Sequence, residues 1–338
     1  MTDLTNPIFT DADKAREHLE SLRWPDGPIC PHCGACDHIV AKVETTGKKT
    51  KKPKIGKHRP PRAGLYYCNS CKEQFTVQVG TVLEKSHIPL NKWLAGFYLM
   101  CSSKKGVSAH QLHRTLKLSY KSAWFMAHRI REAMRTGGLL SPMGGSGQIV
   151  EIDETIHGRA GTHPKGRRQK NVKITNSAHK NVIVSLVQRD GGVRSFHVAG
   201  STVAEVVPLV NQNVRRETFI MTDSAMLYKK QLGNFAGHDR VDHSIAEYVR
   251  YEETKTVHTN TVEGYFSLFK RGMRGVYQHC DEKHLHRYLA EFDFRYSNRI
   301  KLGVNDAERT ARAIKGAEGK RLTYRRPRGA KEDGQASA

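Results

Sequence analysis

The stretch Val257–Gly272 constrains the fold more than any other part of the sequence, because its apolar and polar residues both recur at helical spacing. The apolar face, which suits packing, consists of Val262, Phe266 and Phe269. The other face carries an amide, a carboxylate and an ammonium group, from Asn260, Glu263 and Lys270. Thr259 precedes the periodic part and is predicted to cap the helix. Such a polar row can hold a metal ion beside a phosphate, and an ordinary amphipathic helix with a solvated face is the alternative.

Two aspartates end apolar segments upstream of this helix. The strand predicted for Gln148–Asp153 alternates in polarity and ends in the first aspartate. A second predicted strand, Thr218–Thr222, is followed directly by Asp223. Each aspartate also has a simpler interpretation, as a turn residue or a helix cap. Glu151 and Glu154 are alternatives to the first aspartate as a functional carboxylate.

We expect three carboxylates from separate segments, those of Asp153, Asp223 and Glu263, to meet at one point. They would repel one another unless cations neutralise them, and their oxygen atoms suit Mg²⁺ or Mn²⁺. We predict two ions, with Asp153 bridging both while Asp223 and Glu263 each hold one. Such a pair activates a water or a 3′-hydroxyl and stabilises the leaving oxygen of a phosphodiester. Asn260 is the alternative to Glu263, because an amide oxygen can also bind Mg²⁺.

The charge of the chain indicates a polyanionic partner. There are 56 basic and 33 acidic side chains among 338 residues, a formal net charge of +23 that spans most of the chain. Nucleic acid is favoured over an anionic membrane surface, since no long basic amphipathic helix free of catalytic-looking residues stands out. There is no apolar run of about 18–20 residues, and the acidic start at Met1–Asp13 is unlike a secretory signal. Lys270 and Arg271 are the residues we expect to contact phosphate.

Two C-x-x-C pairs predict a structural zinc ribbon with one Zn²⁺ ion. The ligands would be Cys30, Cys33, Cys68 and Cys71. A chain without a secretory signal favours metal binding over disulfides, and a redox dithiol or unliganded thiols are the alternatives. The spacing between the pairs exceeds the usual one, because a basic run, Lys48–Arg62, lies between them as a predicted loop. Cys36 is interpreted as a bystander thiol.

A helix-turn-helix is predicted next to the ribbon. Val107–Leu116 and Tyr120–Arg135 are helical in pattern and are separated by a turn at Lys117–Ser119. The second helix offers three residues to DNA, Lys121, His128 and Arg129. A plain helical hairpin that links two domains is the alternative.

The order of the remaining elements predicts an α/β fold with a mixed sheet. A Gly/Ser/Pro segment, Gly137–Gly147, is a predicted linker, and His157–Lys173 is a predicted basic loop that contacts phosphates. We expect four regions, namely an N-terminal helix and zinc ribbon (1–85), a helix-turn-helix-like domain (86–136), a catalytic domain (148–300) and a basic, partly disordered C-terminal extension (301–338).

These segments resemble bacterial insertion-sequence transposases of the DDE class, specifically the ISXO-like group with an N-terminal zinc ribbon. The resemblance rests on C-P-H-C-G, C-x-x-C-K-x-Q-F-T-V-x-x-G-T, E-I-D-E-T, M-T-D-S, H-S-I-A-E-Y-V, H-T-N-T-V-E-G-Y-F-S-L-F-K-R-G, H-L-H-R-Y-L-A-E-F-D-F-R-Y-S-N-R and G-K-R-L-T-Y-R. It implies an RNase H-like catalytic core with two aspartates, here Asp153 and Asp223, a third residue that is Glu or Asn, and a downstream lysine, here Lys270. Both Asn260 and Glu263 belong to the matching motif, and Glu263 is favoured because a carboxylate binds Mg²⁺ more strongly than an amide.

The resemblance implies a metal-dependent transposase that binds terminal inverted repeats, cleaves at element ends and joins the 3′-hydroxyls to target DNA. The alternatives are an RNase H-like nuclease or resolvase that does not join strands, and a non-enzymatic zinc-ribbon regulator. Because two DNA ends must be held together, we expect a homo-oligomer on double-stranded DNA. We expect neither a membrane nor a small-molecule partner, and a cytoplasmic, nucleoid-associated location.

Overall fold

The structure, a computed structural model, describes residues 4–37, 39–41, 64–136, 141–158, 180–223, 232–242, 245, 247–253 and 255–323. Most of the predicted basic loop His157–Lys173, the run Lys48–Arg62 and part of the predicted linker lie outside these ranges. No helix in the described part of the chain is long and apolar enough to cross a membrane.

The described residues form two compact units where four regions were expected. The first unit draws on Met1–Ser102, Ala109–Met134 and Asp306–Ser337, and the second on Ser103–Ser108 and Arg135–Asn305. The ribbon, the paired helices and the C-terminal helix therefore belong together. The reason is packing over long sequence separations, since the guanidinium of Arg309 donates to the carbonyl of Cys101 over 2.9 Å.

The first unit contains helices around a small ribbon. The helices are α1 (Ala12–Arg23), α2 (Leu90–Ser102), α3 (Ala109–Leu116), α4 (Tyr120–Met134) and α8 (Asp306–Lys315), and Pro7–Phe9 forms a 3₁₀ turn. The ribbon strands are β1 (Ile39–Ala41), β2 (Tyr66–Cys68) and β3 (Gln74–Phe75), paired antiparallel in that order. The short turn between α3 and α4 lies at the predicted residues, and the Ser119 hydroxyl accepts a hydrogen bond from the Ser122 amide at 3.2 Å.

A mixed five-stranded sheet forms the second unit. Its strands are β4 (Ile149–His157), β5 (Asn181–Gln188), β6 (Val193–Val198), β7 (Phe219–Asp223) and β8 (Gly237–Val241). The spatial order is β6-β5-β4-β7-β8, in which β4, β5 and β6 are antiparallel neighbours while β4, β7 and β8 run parallel. The predicted fold class, an RNase H-like α/β core that follows a zinc ribbon and a helical region, is confirmed.

Helices cover both faces of this sheet. They are α5 (Val203–Asn213), α6 (Asn260–Gly272), which continues as a π-helical turn (Met273–Tyr277), and α7 (Glu282–Ser297), with a short hairpin of β9 (Arg250–Tyr251) and β10 (Thr256–Val257) ahead of α6. A 3₁₀ turn, Ile300–Leu302, follows α7.

Strand β4 shows how the two faces are divided. Val150 and Ile152 are fully buried in the apolar cluster that includes Val206 and Val210 of α5. Because side chains alternate along a strand, Glu151 and Asp153 face the opposite side. That side carries α6 and α7, whose apolar residues pack against β5. The predicted polar face of β4 therefore points at the predicted functional helix.

Candidate active site

Strand register places Asp153 and Asp223 next to each other. Strands β4 and β7 run parallel, and Ile152 pairs with Thr222. The next residue on each strand is an aspartate, so the two carboxylates leave the sheet on the same side at adjacent positions. This proximity follows from the backbone pairing alone.

The pKa of Asp153 reports the surroundings of its carboxyl group. Burial raises the pKa of Asp153 to about 7, although a hydrogen bond from the Glu154 amide at 2.7 Å acts in the opposite direction. The negative charges of Asp223, Glu154 and Glu263 raise this pKa further. Crowded carboxylates of this kind fit a divalent cation, because its charge would remove the repulsion between them.

Glu263 and Asn260 occupy different places on α6. Glu263 lines a cleft of about 690 Å³ together with Asp153 and Glu154, and it accepts a hydrogen bond from the Thr259 hydroxyl at 2.9 Å. Asn260 is the first residue of the helix and is exposed. Glu263 is among the described residues that line the cleft, whereas Asn260 and Asp223 are not, and Glu263 is also one of the charges that act on Asp153. The geometry thus favours the carboxylate as the third acidic group.

Basic side chains line the same cleft. Lys270 and Arg271 line it, as does Arg274 in the π-helical turn, which the sequence analysis did not single out. Burial lowers the pKa of His157, and the charges of Arg274 and Lys270 lower it further, which places both cations near the end of β4. Arg274 follows Lys270 by one helical turn, and this spacing was the signal available in the sequence.

Of the two alternatives to Asp153, only Glu154 lines the cleft. Glu151 is fully buried, and its carboxylate accepts hydrogen bonds from the backbone at the start of α6. Thr259 stands at the predicted capping position, but its side chain makes no capping hydrogen bond to the helix.

The four predicted zinc ligands lie together in the ribbon. The sulfur atoms of Cys30, Cys33, Cys68 and Cys71 are all within 4.8 Å of one another. The Cys30–Cys71 and Cys33–Cys68 sulfur pairs are each 3.6 Å apart. Tetrahedral Zn²⁺ with sulfur ligands at about 2.3 Å requires sulfur separations of about 3.8 Å, so the cluster fits this ion. Cys36 lies outside the cluster and is exposed.

Local backbone geometry favours the metal-binding thiolate at Cys68, whereas burial and the neighbouring thiols raise the pKa of Cys71 in the absence of a metal. The backbone N–H groups of Cys71 and Ser70 lower the pKa of the Cys68 thiol below its usual value, which favours the thiolate that binds zinc. Gly34 has φ +77°, a conformation that suits glycine in the tight turn after the first pair.

The three residues predicted to contact DNA from α4 differ in exposure. Lys121 lies in the exposed first turn of the helix. His128 and Arg129 are buried, at 2% and 8% exposure. Arg129 donates to the backbone carbonyls of Glu84 and Leu322, both at 3.1 Å. In this structure His128 and Arg129 are therefore packed inside the first unit and do not present themselves to DNA.

Comparisons with known proteins agree with this arrangement. Residues 144–297, which contain the sheet, α6 and α7, match the family model of the ISXO2-like transposase domain. Residues 10–74, which contain the four cysteines, match the transposase zinc-ribbon domain. A protein from Halobacterium salinarum, described as an uncharacterized protein in the transposable element ISH50, is 26% identical over 299 residues, covering 85% of this chain and 91% of that protein. The two domains lie in the same chain, in the order that the sequence motifs predicted, and the chain therefore carries an ISXO2-like transposase domain behind a transposase zinc-ribbon domain.

Proposed function

We propose that this transposase binds the terminal inverted repeats of its element, cleaves at the element ends and joins the 3′-hydroxyls to target DNA by two-metal phosphoryl transfer. The observation that carries the proposal is the placement of Asp153 beside Asp223, with Glu263 and a basic row lining the same cleft as Asp153. Acidic groups for metal ions and basic groups for phosphates are the two requirements of this chemistry.

Each acidic residue has a distinct role in the proposal. The charges of Asp223 and Glu263 both act on Asp153, which would bridge both ions, while Asp223 and Glu263 would each hold one. Bound Mg²⁺ or Mn²⁺ supplies activation of the attacking oxygen and stabilisation of the leaving oxygen. Glu263 is kept in one orientation by the Thr259 hydroxyl. Asn260, one turn earlier, is the remaining alternative as the third ligand.

Lys270, Arg271 and Arg274 are proposed to hold the phosphates of the DNA strand. Replacing Arg274 by alanine is expected to weaken binding to DNA and to lower the slope of log affinity against log salt by about 1, because each phosphate contact releases about one counterion. Fluorescence anisotropy with duplex DNA over a salt series measures this slope. Lys283→Ala is the matched control, since this exposed lysine pairs with Asp281 on α7 and lies outside the cleft lining. An unchanged slope in the Arg274 variant would remove Arg274 from the phosphate site.

We propose that the DNA sequence at the element ends is recognised by the zinc ribbon and by the exposed start of α4, including Lys121. Two ends must be held together for joining, so the active species is proposed to be a homo-oligomer on DNA. Size-exclusion chromatography with end DNA should give a complex that contains at least two chains, and a complex of a single chain with a single end would contradict this.

The decisive experiment is a joining assay. Purified protein, Mg²⁺, labelled DNA with the element's own ends and a target plasmid should give a product in which the labelled 3′ end is covalently joined to the plasmid. Hydrolysis at the ends without joined product would instead indicate a nuclease or resolvase. End binding without cleavage would indicate a DNA-binding regulator.

A further inference from the structure

Glu151 is a fully buried carboxylate with a complete set of donors. Its Oε2 accepts hydrogen bonds from the amides of Thr261 and Val262, at 2.8 and 3.0 Å. Its Oε1 accepts from the Thr261 hydroxyl at 2.8 Å and from Nε of Arg189 at 2.6 Å. Nδ1 of His258 also lies 3.2 Å from Oε1. Both oxygen atoms are therefore committed to the segment that begins α6 and to one guanidinium.

Arg189 extends this network to the segment that leads into α6. Its two terminal nitrogens donate to the carbonyls of Thr256 and His258, at 2.7 and 2.9 Å. Arg189 follows β5, and its own amide donates to the carbonyl of Ile149 on β4 at 3.0 Å. One side chain thus connects the sheet to β10 and to the residue two positions before the helix.

The usual source of a helix cap is the residue just before the helix. Here that residue, Thr259, donates its hydroxyl to Glu263 and makes no capping bond. The carboxylate of Glu151, 110 residues away in sequence from Thr261, takes its place. Removing a charged side chain from water costs free energy, and apolar residues of similar size often stabilise a buried position equally well. Stability alone therefore does not explain why a glutamate stands at this position.

The geometric consequence concerns the acidic groups of the cleft. Glu151 lies two residues before Asp153 on the same face of β4, and the amides that it binds lie one and two residues before Glu263 on α6. Fixing Glu151 to those amides fixes where Glu263 stands relative to Asp153. Because Glu151 serves as the cap, the hydroxyl of Thr259 is available to orient Glu263.

We propose that Glu151 is a positioning residue that sets the separation of Asp153 and Glu263, with Arg189 holding its carboxylate in place. The inference rests on the proposed function, in which these two residues bind the metal ions. Groups that orient metal ligands typically contribute about 10–100-fold to metal affinity or activity. Glu151 has that role here through the backbone of α6.

The test uses Glu151→Gln in the full chain, with Glu291→Gln as the matched control. Glu291 is equally buried and is paired with Arg295 on α7, so its replacement removes a buried charge without touching the start of α6. Mn²⁺ binding is measured by electron paramagnetic resonance, and only the binding that disappears in Asp153→Asn is assigned to the active site. The affinity of this site for Mn²⁺ is expected to fall about tenfold in Glu151→Gln and less than twofold in the control. Amide exchange in metal-free protein should accelerate at Thr261 and Val262 in the Glu151 variant only.

Thr261→Val serves if Glu151→Gln does not fold, because it removes only the hydroxyl donor to Glu151. It is expected to weaken Mn²⁺ binding in the same direction by a smaller factor. Unchanged Mn²⁺ affinity in a folded Glu151→Gln variant, or in Thr261→Val, would overturn the positioning role. Absence of any Asp153-dependent Mn²⁺ binding in the wild-type protein would instead overturn the proposed function, and the two failures are thereby distinguished.

Discussion

Replacing Asp153 with asparagine is expected to lower the rate of DNA strand cleavage by roughly a thousandfold or more, since groups that only orient ligands already contribute about 10–100-fold. The change keeps the size of the side chain but removes the carboxylate that faces Asp223 and Glu263. The cost of burying a charge and the repulsion from nearby carboxylates, which together raise the pKa of Asp153, also disappear, so the metal-free variant should be at least as stable as the wild type at neutral pH and above. Single-turnover cleavage of labelled end DNA and thermal unfolding measure the two effects.

Asp190→Asn is the matched control for this experiment. Asp190 lies in the turn between β5 and β6, is exposed and pairs with Lys301 at 2.7 Å, and asparagine tolerates its positive φ of 51°. The Asp190→Asn variant should cleave DNA at the wild-type rate. Cleavage by Asp153→Asn within tenfold of the wild type would contradict a bridging role for Asp153.

The same assay decides the third acidic position. Glu263→Gln should lose cleavage nearly as completely as Asp153→Asn, because Glu263 lines the cleft and acts on the pKa of Asp153. Asn260→Ala should retain most of the rate, since the uncharged amide of Asn260 is exposed at the start of α6 and is not among the groups that act on Asp153. The reverse order of the two variants would assign the third position to Asn260.

Periodicity in the sequence was sufficient to orient the elements that carry the candidate site. Alternation in β4 separates Val150 and Ile152 from Asp153, and the 3.6-residue period of α6 separates its buried aromatics from Glu263. Strand β7 ends at Asp223 as expected, but the predicted end of the first strand was wrong, because β4 continues past Asp153 to His157 and the aspartate lies in the middle of the strand. The side-by-side position of Asp153 and Asp223 depends on the register of two strands about 70 residues apart, which local patterns do not encode.

Residues whose partners are distant in sequence could not be assigned in this way. Glu151 shares a face of β4 with Asp153, so the sequence suggests that it is an alternative metal ligand. In the structure its carboxylate instead accepts a hydrogen bond from the backbone at the start of α6. Arg129 looks like a basic residue on a recognition helix, but the carbonyl of Leu322, 193 residues away, accepts its hydrogen bond. Arg274 was overlooked because the predicted helix stopped at Gly272, whereas the backbone continues as a π-helical turn.

The division into units has the same physical origin. Ala313 and Ile314 of α8 are buried, although the surrounding segment reads as a basic extension. Two apolar side chains at successive positions give little sequence signal, and their burial depends on the helices of the first unit. The composition of this segment predicts that it lies on the surface, whereas in the structure these two side chains are buried.

Replacing Cys71 with serine is expected to reduce bound zinc from one ion per chain to almost none and to unfold the ribbon. The ribbon sheet has strands of only three, three and two residues, too short to be stable alone in water. Among its described residues the aromatic contacts are those of Trp24 with Tyr66 and Phe75 and the stacking of Tyr66 on Phe75. In zinc-finger peptides the metal supplies roughly 10–16 kcal/mol of apparent binding free energy, which is far more than such contacts provide.

Atomic absorption gives the zinc content, and amide exchange at Tyr66–Cys68 reports on the ribbon strands. Cys36→Ser is the matched control, because Cys36 is an exposed thiol of the same ribbon outside the four-sulfur cluster, and it should keep both zinc and protection. Retention of zinc by Cys71→Ser would contradict the four-cysteine site.

Unfolding after loss of zinc is expected to stop at the ribbon. The neighbouring helices have an apolar core of their own, with fully buried Trp93, Phe97, Met100 and Met126. Arg23 of α1 donates to the carbonyls of Val77 and Val79, both at 2.7 Å, so the chain just after the ribbon is fixed independently of the metal. Amides of α2 and α4 should therefore stay protected in Cys71→Ser, and their simultaneous loss with those of the ribbon would show instead that zinc supports the whole first unit.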